Sequence, residues 1–121
     1  MLMSKYLKFR KVATPDTNSH SIYVNLDKMV TATPNNGGAG NSHVNFYYGQ
    51  GLDFKLTLVF EPAFDTNLKG IMNYITPIIT DLLAVGNNKV YSTVGDENGI
   101  IRFKVGSTEI ETTLTDVIRA T

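Results

Sequence analysis

Apolar and polar residues alternate with period two over most of the first sixty positions, the pattern of strands with one buried face. In KYLKFRKV (5–12), Leu7 and Phe9 fall on one side and Tyr6, Lys8 and Arg10 on the other. ATPDTNSHS follows, dense in turn formers, and reads as a loop. SIYVNLDKMVTATP turns Ile22, Val24 and Leu26 inward and Tyr23, Asn25 and Asp27 outward. Met29 and Val30 then break the phase, which predicts a bulge or bend near Asp27-Lys28 before the strand resumes. NNGGAGNS (35–42) reads as a hairpin tip. HVNFYYG turns Val44, Phe46 and Tyr48 inward and Asn45 and Tyr47 outward. DFKLTLVF gives the cleanest alternation, with Phe54, Leu56, Leu58 and Phe60 inside and Lys55, Thr57 and Val59 outside. Four strands joined in series predict an antiparallel meander.

After Pro62 the period lengthens. Leu68, Ile71, Met72, Ile75, Ile78, Ile79 and Leu82 form one apolar stripe at helical spacing, predicting a helix over 65–85. Asp65 or Thr66 is suited to cap it, Gly86 and Asn87 to end it, and Pro77 to kink it. KVYSTVG and IIRFKVG, separated by DENG, predict a hairpin with Ile101, Phe103 and Val105 facing in. The tail TEIETTLTDVIRAT reads as a short strand that then turns helical, since Leu114, Val117 and Ile118 are spaced i, i+3, i+4 behind Thr113 or Thr115. The expected class is α+β. Its expected architecture is a four-stranded curved antiparallel sheet covered by one long kinked helix, then a β-hairpin and a short helix.

At 121 residues, 42% hydrophobic and 18% charged, the chain matches one globular domain, residues 1–121. There is no cysteine, which excludes disulfides and thiolate chemistry. No apolar run is long enough to cross a bilayer, and MLMSKYLKFRK lacks the apolar segment of a signal peptide. A cytoplasmic location is the default expectation, or host cytoplasm for a viral (phage) protein. His20 and His43 both sit in polar segments read as loops, with no HExxH and no recognisable nucleophile arrangement. Asp16, His20 and Asp27 could meet, but loop carboxylates near a loop histidine are common by chance. The NNGG loop lacks the Lys-Ser/Thr ending of a phosphate cradle. The reading is a non-enzymatic protein with no cofactor and no metal.

Zero net charge hides an asymmetry. Residues 1–60 carry six cations against three acids, and residues 61–121 five cations against eight acids. Segregated charge of this kind can mark an anion-binding face. On the outward side of the four strands fall Tyr6, Lys8, Arg10, Tyr23, Asn25, Asn45, Tyr47 and Lys55. Cations among flat rings and amides suit single-stranded nucleic acid, the cations tracking phosphates and the rings stacking bases. The same residues equally suit the surface of a homo-oligomeric structural or assembly protein, or an ordinary solvated sheet face.

Four antiparallel strands followed by a long helix, with basic and aromatic residues on the open face, resemble the Whirly proteins and the positive-cofactor transcriptional coactivators. The resemblance runs from KYLKFRKV to DLLAVGNN, residues 5–88. It rests on pattern, since the lysine-glycine-lysine-alanine run of the Whirly strand is absent. It implies single-stranded DNA binding on the sheet and assembly into dimers or tetramers. By strand position, Lys8, Arg10, Tyr47 and Lys55 are the implied binding residues.

Overall fold

The alternating pattern is realised as eight strands and one 15-residue helix in the structure, a computed structural model that describes residues 4–11, 20–38, 40–49, 54–64, 68–96 and 98–120. In chain order these are β1 (Tyr6–Lys11), β2 (His20–Asn25), β3 (Met29–Gly38), β4 (Asn41–Tyr48), β5 (Phe54–Glu61), α1 (Leu68–Leu82), β6 (Tyr91–Val94), β7 (Ile100–Val105) and β8 (Thr108–Ala120). They form two sheets. The smaller has the order β2-β1-β6 and the larger β3-β4-β5-β8-β7. β1 pairs antiparallel with β2 and parallel with β6, whereas every neighbour pair in the larger sheet is antiparallel.

The inner faces share one core. Leu7, Phe9 and Val24 from the small sheet, Val44, Phe46, Leu58 and Phe60 from the large one, and Ile71, Ile75 and Leu82 from α1 are all buried. Ring contacts run through its centre, with centroids 6.1 Å apart for Phe9 and Phe60, 6.0 Å for Phe60 and Phe64, and 5.8 Å for Phe64 and Phe103. Each such side chain contributes about 1.5–3 kcal/mol by leaving water. The inward residues expected in KYLKFRKV, HVNFYYG and DFKLTLVF, save the half-buried Tyr48 and Phe54, are in this core.

The expected four-stranded sheet under a long helix is overturned in four places. SIYVNLDKMVTATP is two strands, not one bulged strand. The chain turns at Asp27-Lys28, where Lys28 takes a φ of 61° and the N–H of Asp27 donates to Asn25 Oδ1 at 2.7 Å, and β3 then enters the other sheet. Two short sheets that face each other bury what a single flat meander would leave to solvent. Pro34 lies within β3, an edge strand, the place in a sheet where proline is tolerated. The NNGG residues expected in a loop extend this strand, pairing as far as Gly38 with Asn41.

The second correction concerns β6 and β7, which do not pair as a hairpin. They lie in different sheets, with β7 paired to β8. The third is the C-terminal segment, which is a 13-residue strand and no helix. Its helical-looking spacing comes from a bulge: Phe60 pairs with Leu114 and Val59 with Asp116, so Thr115 is the extra residue. An inserted residue moves the inward position from Leu114 to Val117, imitating i, i+3 in a segment otherwise rich in β-branched residues.

The fourth correction is α1 itself. It is shorter than expected and packs near β3, β6 and β7 instead of roofing a four-stranded sheet. Its expected N-caps, Asp65 and Thr66, lie outside the described residues. The helix is continuous through Pro77, and the chain leaves it by a turn in which Gly86 has a φ of 92° and Asn87 Nδ2 donates to Asp81 O at 2.8 Å. A Cβ on Gly70 would stand 2.7 Å from Val105 Cγ2 and 2.9 Å from Phe103 Cε2, so glycine permits the close approach of α1 to β7.

Candidate nucleic-acid interface

Pairing places β1 centrally in the small sheet, so its outward residues lie between those of β2 and β6. Lys8 stands opposite Tyr23 on one side and Thr93 on the other; Tyr6 stands opposite Asn25 and Tyr91; Arg10 stands opposite Ser21. Three tyrosine rings converge over this face. Tyr6 and Tyr23 are 6.4 Å apart and Tyr23 and Tyr91 5.9 Å, each pair close to perpendicular. Lys8 Nζ lies 6.0 Å from the Tyr23 centroid and 5.3 Å from that of Tyr91. Tyr23 and Tyr91 remain 51% and 44% exposed, so the cluster is open to solvent.

The charge of this face is unbalanced. β1, β2 and β6 together contain Lys8, Arg10 and Lys11 and no acid. Among the described residues neither Lys8 nor Arg10 has an ion-pair partner, and Arg10 Nε is buried without a hydrogen bond. Arg102 on β7 is the opposite case. It pairs with Asp96 at 2.8 Å and Glu111 at 3.1 Å, and Glu109 lies at 3.9 Å. The N–H of Ile100 donating to Asp96, together with the Arg102 guanidinium, holds that carboxyl below its ordinary pKa. Arg102 is therefore neutralised by its neighbours, while Lys8 and Arg10 on the first strand keep their charge unpaired among the described residues. Lys5 is an exception: its ammonium donates to the carbonyls of Asn87 and Lys89, tying the start of β1 to the chain entering β6.

Of the eight candidate residues, Tyr6, Lys8, Arg10, Tyr23 and Asn25 come together here. The Asn25 side-chain oxygen is engaged in holding the turn into β3. Asn45, Tyr47 and Lys55 lie on the outer face of the larger sheet, in the pairs Thr57–Asn45 and Tyr47–Lys55. Asn45 is only 3% exposed, and its Oδ1 accepts from Thr57 Oγ1 at 2.7 Å. Tyr91 belongs to the cluster but is not among the candidates read from the sequence. Its pairing with β1 joins segments 85 residues apart, although the alternation of Tyr91 and Thr93 against Val94 is a signal that could have found it.

Other chemistry is sparse. Asp16 lies outside the described residues, and among those described no group of three His, Asp or Glu side chains could hold a metal ion. His20 and His43, expected in loops, belong to β2 and β4. No described helix is long and apolar enough to cross a membrane. No protein-family model, curated protein or solved structure shows significant similarity to this chain.

Proposed function

We propose that the outer face of the β2-β1-β6 sheet binds single-stranded nucleic acid, without catalysis and with little sequence preference. The observation that carries this reading is Lys8 set between the half-exposed rings of Tyr23 and Tyr91 on an acid-free sheet. An exposed cation–π contact is worth about 0.5–1 kcal/mol, against ~1–3 kcal/mol for a base stacked on a ring. A strand therefore gains by displacing the Lys8 ammonium from the rings toward a phosphate. Arg10, further along β1, supplies a second phosphate contact. Stacking and phosphate contacts carry little base information, which accounts for the weak selectivity.

Paired substitutions separate the two components. Tyr23→Ala with Tyr91→Ala is expected to weaken oligothymidine binding while leaving its salt dependence nearly unchanged. Lys8→Ala with Arg10→Ala is expected to flatten that dependence by roughly 0.7 for each phosphate no longer neutralised. If both variants bind like the parent protein, the reading fails.

The outer edge of β6 favours a second reading, self-association as a homo-oligomeric assembly protein. Among the described residues this edge has no strand partner, and Val90 and Tyr91 beside it are exposed. Open edges are commonly covered by another chain, and closed symmetry is the usual outcome. The two readings compete for Tyr91, which lies on this edge and also belongs to the tyrosine cluster.

A further inference from the structure

An open cleft of about 500 Å³ lies between the end of β2 with its turn and the ends of β4, β5 and β8. Tyr23, Asp27 and Lys28 line it from β2 and its turn, and Tyr48, Phe54 and Arg119 from the larger sheet. The volume falls within the range of about 300–1,000 Å³ typical of small-ligand sites. Its walls are aromatic: Tyr48 and Phe54 are cross-strand partners with ring centroids 5.7 Å apart. Tyr48 is fixed in place, since its hydroxyl donates to Asn25 O at 2.6 Å. Among the described residues its lining is net positive, with Lys28 and Arg119 against Asp27. Neither cation has an ion-pair partner among the described residues, whereas Asp27 Oδ2 already accepts from Ser4 Oγ at 2.5 Å.

We infer that this cavity receives a single nucleotide, its base against Tyr48 and Phe54 and its phosphate between Lys28 and Arg119. Aromatic walls match the apolar faces of a base, and two uncommitted cations match a phosphate. Tyr23 joins the cavity to the sheet face, because the same side chain packs against Tyr6 and Tyr91 and lines the cavity. A strand lying along β1 can thus deliver its terminal nucleotide into the cavity. This inference rests on the sheet-face reading for its strand-bound form, but the cavity's fit to a nucleotide stands on its own residues.

Two titrations of the full chain test it separately from that reading. In amide NMR spectra, thymidine 5′-monophosphate is expected to shift Tyr48, Phe54 and Arg119 saturably, and thymidine to bind more weakly. Arg119→Ala, at an exposed position, is expected to weaken monophosphate binding about tenfold, as is Lys28→Gln, because each removes a charge-assisted hydrogen bond to the phosphate. Lys8→Ala with Arg10→Ala is expected to leave it unchanged. In the second titration, oligothymidine carrying a 5′-phosphate is expected to lose affinity with Arg119→Ala. Absence of saturable shifts at these residues up to about 10 mM overturns the nucleotide site. If oligothymidine then still binds with full dependence on Lys8 and Arg10, the sheet-face reading survives alone. Saturable monophosphate binding with no oligothymidine binding supports the cavity as a free-nucleotide site and overturns its strand-bound form.

Discussion

The ammonium of Lys8 lies 5.3 Å from the ring centre of Tyr91, a contact between two residues joined by the parallel pairing of β1 with β6. That pairing turns the charge of KYLKFRKV into part of a surface. Without β6 beside it, Lys8 would be one solvated lysine on a hairpin; with it, the cation is framed by rings from both neighbouring strands. Shortening the Lys8 side chain to Ala should leave the fold intact, with a stability change within about 1 kcal/mol, because the contact is exposed. Chemical unfolding of the variant measures this directly.

Phe60 joins the two sheets by touching Phe9 on one side and Phe64 on the other. It is fully buried, so Phe60→Ala leaves a cavity at the centre of the ring chain. A loss of about 3–5 kcal/mol in denaturant unfolding is expected. A drop of less than about 1 kcal/mol would mean that the sheets do not pack through these rings.

Asn45 separates stability from binding. Its replacement by Ala removes the acceptor of Thr57 Oγ1 in a buried setting, at an expected cost of about 1–3 kcal/mol. Oligonucleotide affinity should be unchanged, since the residue lies outside the tyrosine cluster. Weakened binding by a fully folded Asn45→Ala protein would extend the interface to the larger sheet.

The proportion of this fold visible in the sequence follows from the range of each interaction. Alternation in β1, β4 and β5 is a local property, and the inward residues read from it are largely the core. Sheet membership is not local. Nothing in YSTV specifies β1 as its partner, and nothing in NLDKMV separates a bulge from a turn that changes sheets. The tail misleads for a different reason, because one extra residue at Thr115 converts period two into an apparent helical spacing. The candidate site is legible in part: five of its residues share one strand pair, while Tyr91 requires knowledge of the pairing.

Tyr48 predicts an alkaline limit. Burial raises its pKa from 10.0 to about 12, so the folded state holds the phenolic proton more tightly than the unfolded state. The associated stability is complete below pH 10 and declines as pH rises from 10 toward 12. Absorbance titration should show a phenol ionising at about pH 12, and Tyr48→Phe should abolish that step.

Asp96 predicts the acid limit by the opposite sign. Its folded pKa lies below the ordinary 3.8, chiefly through the N–H of Ile100 and then Arg102, so its contribution is present above that value. It is lost as pH falls below 3.8 and through the folded pKa. Asp96→Asn should make stability less dependent on pH in that acid range, as read from unfolding midpoints.

Self-association is read from light scattering across a concentration series. The open β6 edge predicts a mass that is a multiple of the 13.3 kDa chain. A mass of one chain at the highest concentration would remove the assembly reading and leave the strand edge simply solvated.

Fluorescence anisotropy of labelled oligothymidine, titrated with the protein at low and at moderate salt, reports whether the β2-β1-β6 face binds a strand. Saturable binding at low salt is expected, weakening as salt rises with a slope of roughly −0.7 per phosphate neutralised. No binding at low salt to single-stranded DNA or to a matched RNA would mean that this face is not a nucleic-acid interface.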